Sequence, residues 1–531
     1  VEDPQIKRVL ISVTDKTGVA EFARALADEF GAKIISTGGT AKALRDAGIA
    51  VTPIEEVTGF PEMMDGRVKT LHPKVHGALL AKRNNPEHMK QAAEHGIEMI
   101  DMIVVNLYAF SATVASGADP ASCIEHIDIG GPSMLRSAAK NNESVAVVSD
   151  PTDYDGILDE MRAHNGATTR QTRARLALKV FQTTGAYDTA IATWMAQQVQ
   201  AAGNATEAHE DDEFPEHLTL ELSKAQDLRY GENPHQKAAF YRRDDYTLAD
   251  HSLAHARQLQ GKELSYNNYL DLDAAWAAVR EFSDCACVIV KHLTPCGVCE
   301  DADQIQAYQK AYACDSMSAY GGVIAFNRPV TAGVVQAIFD NKQFVEALIA
   351  PSFEPEAAEM YSVKKKARLL ETGGVNPAGC EHEFRAVEGG LLCQEIDAVA
   401  EDPATFTVAT KRKPTDEEMR QMVFAWKVCK SVKSNAILVA KDNATVGVGG
   451  GQPNRVNSAR IAVKQAGEKA QGAVAASDAF FPFRDGLDAL VDAGVTAVIQ
   501  PGGSIRDGEV IDAANERGIA MVFTAHRHFR H

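Results

Sequence analysis

Nowhere in the 531 residues is there an uninterrupted apolar run of the ~20 residues that a helix needs to cross a bilayer. The opening VEDPQIKRVLISV has no basic region followed by a long apolar one, so it does not read as a secretory signal. Nine cysteines are scattered without the spacing of an extracellular disulfide framework. These absences point to a reduced, cytoplasmic protein without a membrane segment. Positive charge is short as well: 54 Lys and Arg stand against 72 Asp and Glu, a formal net charge of -18, which repels nucleic acid and acidic membrane surfaces. The basic runs Lys364–Lys366 and Lys411–Lys413 are too short to reverse that. They read as solvated turns, with contact to an anionic ligand as the alternative. Aromatics are only 7%, yet 45% apolar and 24% charged residues are ordinary for a soluble globular chain. The length exceeds what one core serves, so two or three domains are expected.

What is present follows βαβα grammar. RVLISV, GVAEFARALADEF, AKIIST and TAKALRDAG alternate short β-branched runs with helical patterns, which implies a mainly parallel sheet covered by helices. MIDMIVVNLY and SVAVVS are further strands, and ARLALKVFQTTGAYDTAIATWMAQQ has the apolar spacing of a helix that closes this region near residue 200. AAGNATEAHEDDEFPEH reads as a linker over 200–216. Beyond it CACVIVKH, GGVIAF, SNAILVA, GAVAASD and AVIQPGG are buried strands running into loops, again α/β. The expected division is 1–200 and 201–531. A weak internal likeness, KH after CVIV and SN before AILVA, suggests two related lobes in the second part.

Three polar loops of the first part, SVTDKTG, STGGT and GRVKTLHPKVHG, combine glycines, hydroxyls and the cations Lys16, Arg67 and Lys69, the donors a phosphate needs. Singly, each is also an ordinary strand-to-helix turn. IDIGGPSMLRSAAKN sets Asp128 before a glycine pair and ends on Lys140, residues able to share proton transfer or to serve as a plain helix start and a solvated lysine. In order, SVTDKTG, STGGTAKALRDAG, GFPEMMDGRVKTLHP, NLYAF and IDIGGPSMLRSAAKN resemble the inosine-monophosphate (IMP) cyclohydrolase domain of the bifunctional purine-biosynthesis enzymes. That resemblance implies a methylglyoxal-synthase-like fold. It implies nucleotide contacts from Thr14, Asp15, Lys16, Thr37, Gly38, Gly39, Thr40, Arg67, Val68, Lys69, Thr70, Val105, Asn106, Asp128 and Ile129. It also implies Lys140 as proton donor or acceptor, with Lys69, Tyr108 and Asp128 beside it. Ala109 stands where the family has proline.

In the second part, LRYGENPHQ carries Arg229 and Tyr230, and VIVKHLTPCGVC delivers Lys291 and His292 to a strand end, where open α/β sheets place ligands. The Cys296 and Cys299 pair would suit a zinc nucleobase deaminase, but none of the sixteen histidines is followed two positions later by Glu, so the water-activating acid is missing and no zinc is expected. LRYGENPHQ, QGKELSYNNYLDLDAA, KHLTPCG, SAYGG, VKSNAI, GGGQPNRV, SDAFFPFRDG and HRHFRH resemble, in order, the formyltransferase domain of the same family, with two cytidine-deaminase-like lobes. By that resemblance the substrate is 5-aminoimidazole-4-carboxamide ribonucleotide (AICAR), held by Arg229, Tyr230, His292, Gly321, Glu346, Asn435, Arg455, Phe480 and Arg527. The formyl donor 10-formyltetrahydrofolate would meet Val456, Asp485, Ser504 and Ile505. His292 would take the amine proton and Lys291 would steady developing charge. Thr294, Tyr320 and the GGGQPNRV run depart from the commoner residues without removing any assigned group. The resemblance further implies a homodimer whose transfer site draws on both subunits, room for a monovalent cation, and formylated AICAR (FAICAR) as the intermediate closed to IMP.

Overall fold

The structure is a computed structural model that describes residues 3–64, 67–203, 214, 217–243, 251–375 and 382–531. Most of the expected linker, and Gly66 of the third phosphate loop, lie outside the described residues. The chain forms two compact units, Val1–Leu220 and Glu221–His531. Among the described residues no helix is long and apolar enough to cross a membrane.

The first unit is built on five parallel strands: β1 (Arg8–Ser12), β2 (Lys33–Ser36), β3 (Val51–Pro53), β4 (Met102–Val105) and β5 (Ala146–Val148), in the order β3-β2-β1-β4-β5. The central strands β1, β2 and β4 are fully apolar in their middles because helices cover both faces of a parallel sheet. Val19–Asp28, Gly130–Lys140 and the first half of Arg170–Gly203 pack on it through Phe22, Leu26, Met134, Leu135, Leu176 and Val180. Successive strands step from β1 towards β3 and then return to the other side of β1, so the switch point, where such sheets bind ligands, lies between β1 and β4.

The second unit opens with a hairpin of β6 (Ser223–Leu228) and β7 (Ala238–Arg242). Its centre is one twelve-stranded sheet in two halves. The first half holds β8 (Arg257–Gln260), β9 (Ala286–Lys291), β10 (Thr294–Glu300), β11 (Gly322–Phe326), β12 (Val345–Ala350) and β13 (Arg368–Glu371), in the order β10-β9-β11-β12-β13-β8. After a second hairpin of β14 (His382–Val387) and β15 (Gly390–Glu395), the other half holds β16 (Thr407–Val408), β17 (Ile437–Lys441), β18 (Ala444–Gly449), β19 (Val474–Ser477), β20 (Ala497–Gln500) and β21 (Ala520–Phe523), in the order β18-β17-β19-β20-β21-β16. The two orders and the strand directions are the same, and β10 meets β18 antiparallel at Cys299 and Ala444.

The halves are therefore a duplication, and its register is visible in the chain. Trp276 and Trp426, Lys291 and Lys441, and Gly297 and Gly447 are each 150 positions apart. Both tryptophans lie on capped 14-residue helices, Tyr266–Val279 and Asp416–Cys429, that bury one face of the whole sheet. Both glycines admit a helix backbone, since a Cβ would stand 1.9 Å from the Ala311 carbonyl oxygen or 2.0 Å from that of Ala462. The Lys-His pair thus corresponds to Lys441 and Asp442, not to Ser434 and Asn435 as the weak sequence likeness suggested. On the opposite face each half has its own core, around Tyr308 and Phe326 in the first and around Phe481 and Leu487 in the second.

Candidate active sites

At the switch point of the first unit the loops after β1, β2 and β4 are tied together by side chains. The Asn106 carboxamide oxygen accepts the N–H groups of Thr14 (2.6 Å) and Asp15 (3.0 Å), and its nitrogen donates to the Asp15 carbonyl (2.8 Å). The Thr40 hydroxyl accepts from the N–H of Val13 and donates to its carbonyl, while Ser12 and Thr37 share a hydroxyl bond of 2.8 Å. Thr37 caps the helix Gly38–Asp46 in extended conformation without a side-chain cap, which leaves that helix's first N–H groups for an anion. The Lys69 ammonium stands at this same end, 3.6 Å from where a Gly38 Cβ would lie. Helix terminus, lysine and exposed Thr14 to Lys16 together offer the donors that a phosphate cradle needs.

Beside the cradle sits Asp128. Its Oδ1 accepts the Gly131 N–H at 2.8 Å, and burial pushes its carboxyl up against the smaller, opposing effects of backbone N–H groups, among them those of Gly131 and Tyr108, and of the Lys69 charge. The glycine pair lets this happen: a Cβ on Gly131 would stand 2.4 Å from Asp128 Oδ2, and one on Gly130 2.7 Å from the buried Thr70 hydroxyl. Lys69, Tyr108 and Asp128 are brought together. Lys140 ends the helix that Gly130 begins, about 15 Å along the axis from Gly130, and is exposed. Arg67 pairs with Glu125 in the open, Val68 bridges to Met63, Val105 is buried at the end of β4 and Ile129 is exposed.

Sequence reasoning missed Tyr187. Its hydroxyl accepts the Asp128 N–H at 2.8 Å and donates to the His126 carbonyl at 3.0 Å, so a residue of the long closing helix fixes the acid loop. Only its place in a helix was readable.

In the second unit strand direction does the assembling. β9 and β18 run towards one edge of the sheet, which is also where β11, β12 and β17 start and where β19, β20 and β21 end. Lys291 and Glu346 lie at the ends of β9 and β12 there, and His292, Gly321, Asn435, Arg455, Phe480, Asp485, Ser504, Ile505 and Arg527 are on the segments that follow or precede strands at that edge. β10 and β18 pair at the far edge, at Cys299 and Ala444. Arg229 and Tyr230 follow β6, outside this sheet, with the guanidinium 5.6 Å from the tyrosine ring centre.

Within the edge, Lys291 Nζ donates to the carbonyls of Gly321 (2.8 Å) and Tyr320 (3.3 Å). Gly321, at φ 72, leaves room for it, as a Cβ would lie 3.1 Å from the ammonium. His292 and Leu293 form the two-residue turn of the β9–β10 hairpin, both with positive φ (51 and 65), and Asp271 holds it by accepting the Leu293 N–H at 2.8 Å. The turn presents an exposed imidazole. Across the edge, buried Arg455 bonds Ser477 (2.9 Å), Asn435 (2.7 Å) and the fully buried Asp478. Val456 follows it on the helix Arg455–Ala466, while Ile505 is wholly exposed and Glu346 is bound by Arg368 at 2.6 Å. Cys296 and Cys299 lie inside β10, and burial pushes both thiols up to about 12.

The sequence pattern of the AICARFT/IMPCHase bienzymes matches residues 138–465, and that of the MGS-like domains matches residues 18–133, which hold β2, β3 and β4 of the parallel five-stranded sheet. A crystal structure of a protein called ForH is 37% identical, covering 35% of this chain and 97% of its own, with a TM-score of 0.32. With the bienzyme pattern spanning more than half of its residues and an MGS-like domain ahead of it, the chain belongs to the AICARFT/IMPCHase family, bifunctional enzymes of purine biosynthesis with formyltransferase and IMP cyclohydrolase activities.

Proposed function

We propose that the two activities are divided between the two units, ring closure in Val1–Leu220 and formyl transfer in Glu221–His531. The observation that carries this is the placing of the assigned transfer residues of both halves along one sheet edge, while the phosphate cradle and Asp128 lie wholly within the other unit.

In the transfer site His292 removes a proton from the aromatic amine of AICAR as the amine nitrogen attacks the formyl carbon of 10-formyltetrahydrofolate, the family's cosubstrate. The bond from that carbon to the folate nitrogen breaks, and tetrahydrofolate leaves with a proton. Lys291, anchored on the Tyr320 and Gly321 carbonyls, faces the developing charge. An aromatic amine is a weak nucleophile, so positioning and base assistance supply the rate. Arg455, Asn435, Arg229, Tyr230, Gly321, Glu346, Phe480 and Arg527 hold the nucleotide, and Val456, Asp485, Ser504 and Ile505 the folate. By the family resemblance the protein is a homodimer whose transfer site draws on both subunits. The protein works in the cytoplasm, and its transfer site uses no zinc.

In the ring-closure site the cradle of Thr14 to Lys16, Thr37 to Thr40 and Arg67 to Thr70 takes the nucleotide phosphate. The carboxamide nitrogen of FAICAR attacks the formamide carbon, and the carbinolamine oxygen leaves as water. Lys140 serves as proton donor or acceptor, with Lys69, Tyr108 and Asp128, whose carboxyl burial pushes up, beside it.

The test mixes the protein with AICAR and 10-formyltetrahydrofolate and follows tetrahydrofolate and IMP. His292→Ala is expected to stop tetrahydrofolate release yet still cyclise supplied FAICAR, and Lys140→Ala and Lys69→Ala to do the reverse. Equal loss of both activities in His292→Ala would refute the division.

A further inference from the structure

The C-terminal segment carries a cluster that neither active site uses. His526 and His528 both turn Nε2 to the buried carboxylate of Glu401: His528 to Oε1 at 2.8 Å, His526 to Oε2 at 3.2 Å. The other nitrogen of His528, Nδ1, meets Asp397 at 2.5 Å. Trp426 donates its indole N–H to Glu401 Oε2 at 2.9 Å, and its ring centre lies 4.8 Å from that of His528. His528 and Glu401 have about 1% of their side chains or less exposed, whereas His526 reaches solvent with 32%.

Two imidazole nitrogens and one carboxylate, all within 4.8 Å of one another, form the two-histidine, one-carboxylate set of open divalent-metal sites. In tetrahedral ligation at ~2.0 Å the donor atoms stand about 3.3 Å apart, and with Glu401 Oε1 as the carboxylate ligand the two imidazole nitrogens stand at 2.8 Å (His528) and 3.4 Å (His526) from it, within roughly half an ångström of that spacing. Both nitrogens of His528 face carboxylates, Nδ1 that of Asp397 and Nε2 that of Glu401, so a cation would replace the Nε2 proton while Asp397 keeps the ring oriented, the carboxylate–histidine–metal arrangement. Trp426 likewise orients Glu401 from behind. The exposed side of His526 leaves a fourth position for water.

We infer that His526, His528 and Glu401 bind a divalent transition-metal ion of the zinc class, with Asp397 and Trp426 orienting the ligands. The ion clamps the C-terminal segment to residues 397–401. The ligand set is separate from the buried Cys296 and Cys299.

The test uses the full-length protein, stripped with chelator and titrated with Co2+ and then Zn2+. One Co2+ per chain is expected, with the visible absorption of a four- or five-coordinate histidine site that Zn2+ abolishes. Asp397→Asn is expected to weaken binding about 10–100-fold by loosening His528. His528 is buried and its loss could unfold the segment, so His526→Ala is the deciding variant, expected to lose the spectrum while far-ultraviolet circular dichroism stays unchanged. Failure of the wild-type protein to hold one equivalent through gel filtration, or an unchanged spectrum and affinity in His526→Ala, overturns the proposal and leaves an imidazole–carboxylate pair only.

Discussion

The duplicated hairpin allows a backbone-strain argument to be tested inside one molecule. Its two-residue turn occurs twice, as His292-Leu293 at the edge that carries the transfer residues and as Asp442-Asn443 at the opposite edge. Both copies need positive φ at both positions, 51 and 65 in the first and 54 and 50 in the second. Asp and Asn suit such a turn, and Leu does not: a left-handed residue with an ordinary side chain costs about 1–2 kcal/mol. Leu293 also keeps about half of its side chain covered, at 45% exposure, so replacing it loses roughly 1 kcal/mol of burial as well. Comparing Leu293→Asn with Leu293→Ala removes that second contribution, since both give up the leucine contacts while only Asn relieves the turn. Leu293→Asn should therefore be more stable than Leu293→Ala by about 1 kcal/mol, or ~2–4 °C in Tm for a domain of a few hundred residues. The reciprocal Asn443→Leu should cost about 1–2 kcal/mol. Urea unfolding of the three variants supplies the values. Because Asp271 still holds the turn, Leu293→Asn should keep formyl transfer within about twofold of the parent. Equal stability of the Asn and Ala variants would show that the first turn stores no strain and that His292 is displayed at no backbone cost.

Two further outcomes concern the ring-closure site. Burial holds the folded Asp128 carboxyl above its ordinary 3.8, so between that value and the raised one the folded state binds more protons than the unfolded, and stability falls as pH rises through the window and stays lower above it. Asp128→Asn keeps an acceptor for the Gly131 N–H but does not titrate, so it should raise the Tm at pH 7, leave it unchanged near pH 3, and abolish cyclisation; a Tm gain that is the same at both pH values would contradict the assignment. Tyr187→Phe removes the hydroxyl between Asp128 N–H and the His126 carbonyl, with an expected cost of about 1 kcal/mol and a fall in cyclisation kcat while formyl transfer is untouched; an unchanged kcat would mean the loop holds its place without Tyr187.

The chemistry-bearing residues were legible because their motifs are local. SVTDKTG, STGGT and IDIGG announce turns at strand ends, and the alternation of β-branched and helical runs gives parallel α/β units. The duplication was nearly illegible, since it survives at a few spaced positions such as Trp276 and Trp426, 150 residues apart, where packing against one sheet face allows little else. Residues brought in by long-range packing were invisible: Tyr187 is 59 positions from Asp128, and Glu401 is 125 from His526.

By itself, then, the sequence determined the family, the α/β class and the local turns, because glycine placement, strand-end motifs and hydrophobic period act over a few residues. The tertiary structure alone decided which of those residues meet. Strand direction put the residues proposed for transfer in two lobes at one edge, and the folding back of the last residues onto Glu401 gathered two histidines around a buried carboxylate. Such meetings depend on the path of the whole chain, which no window of sequence contains.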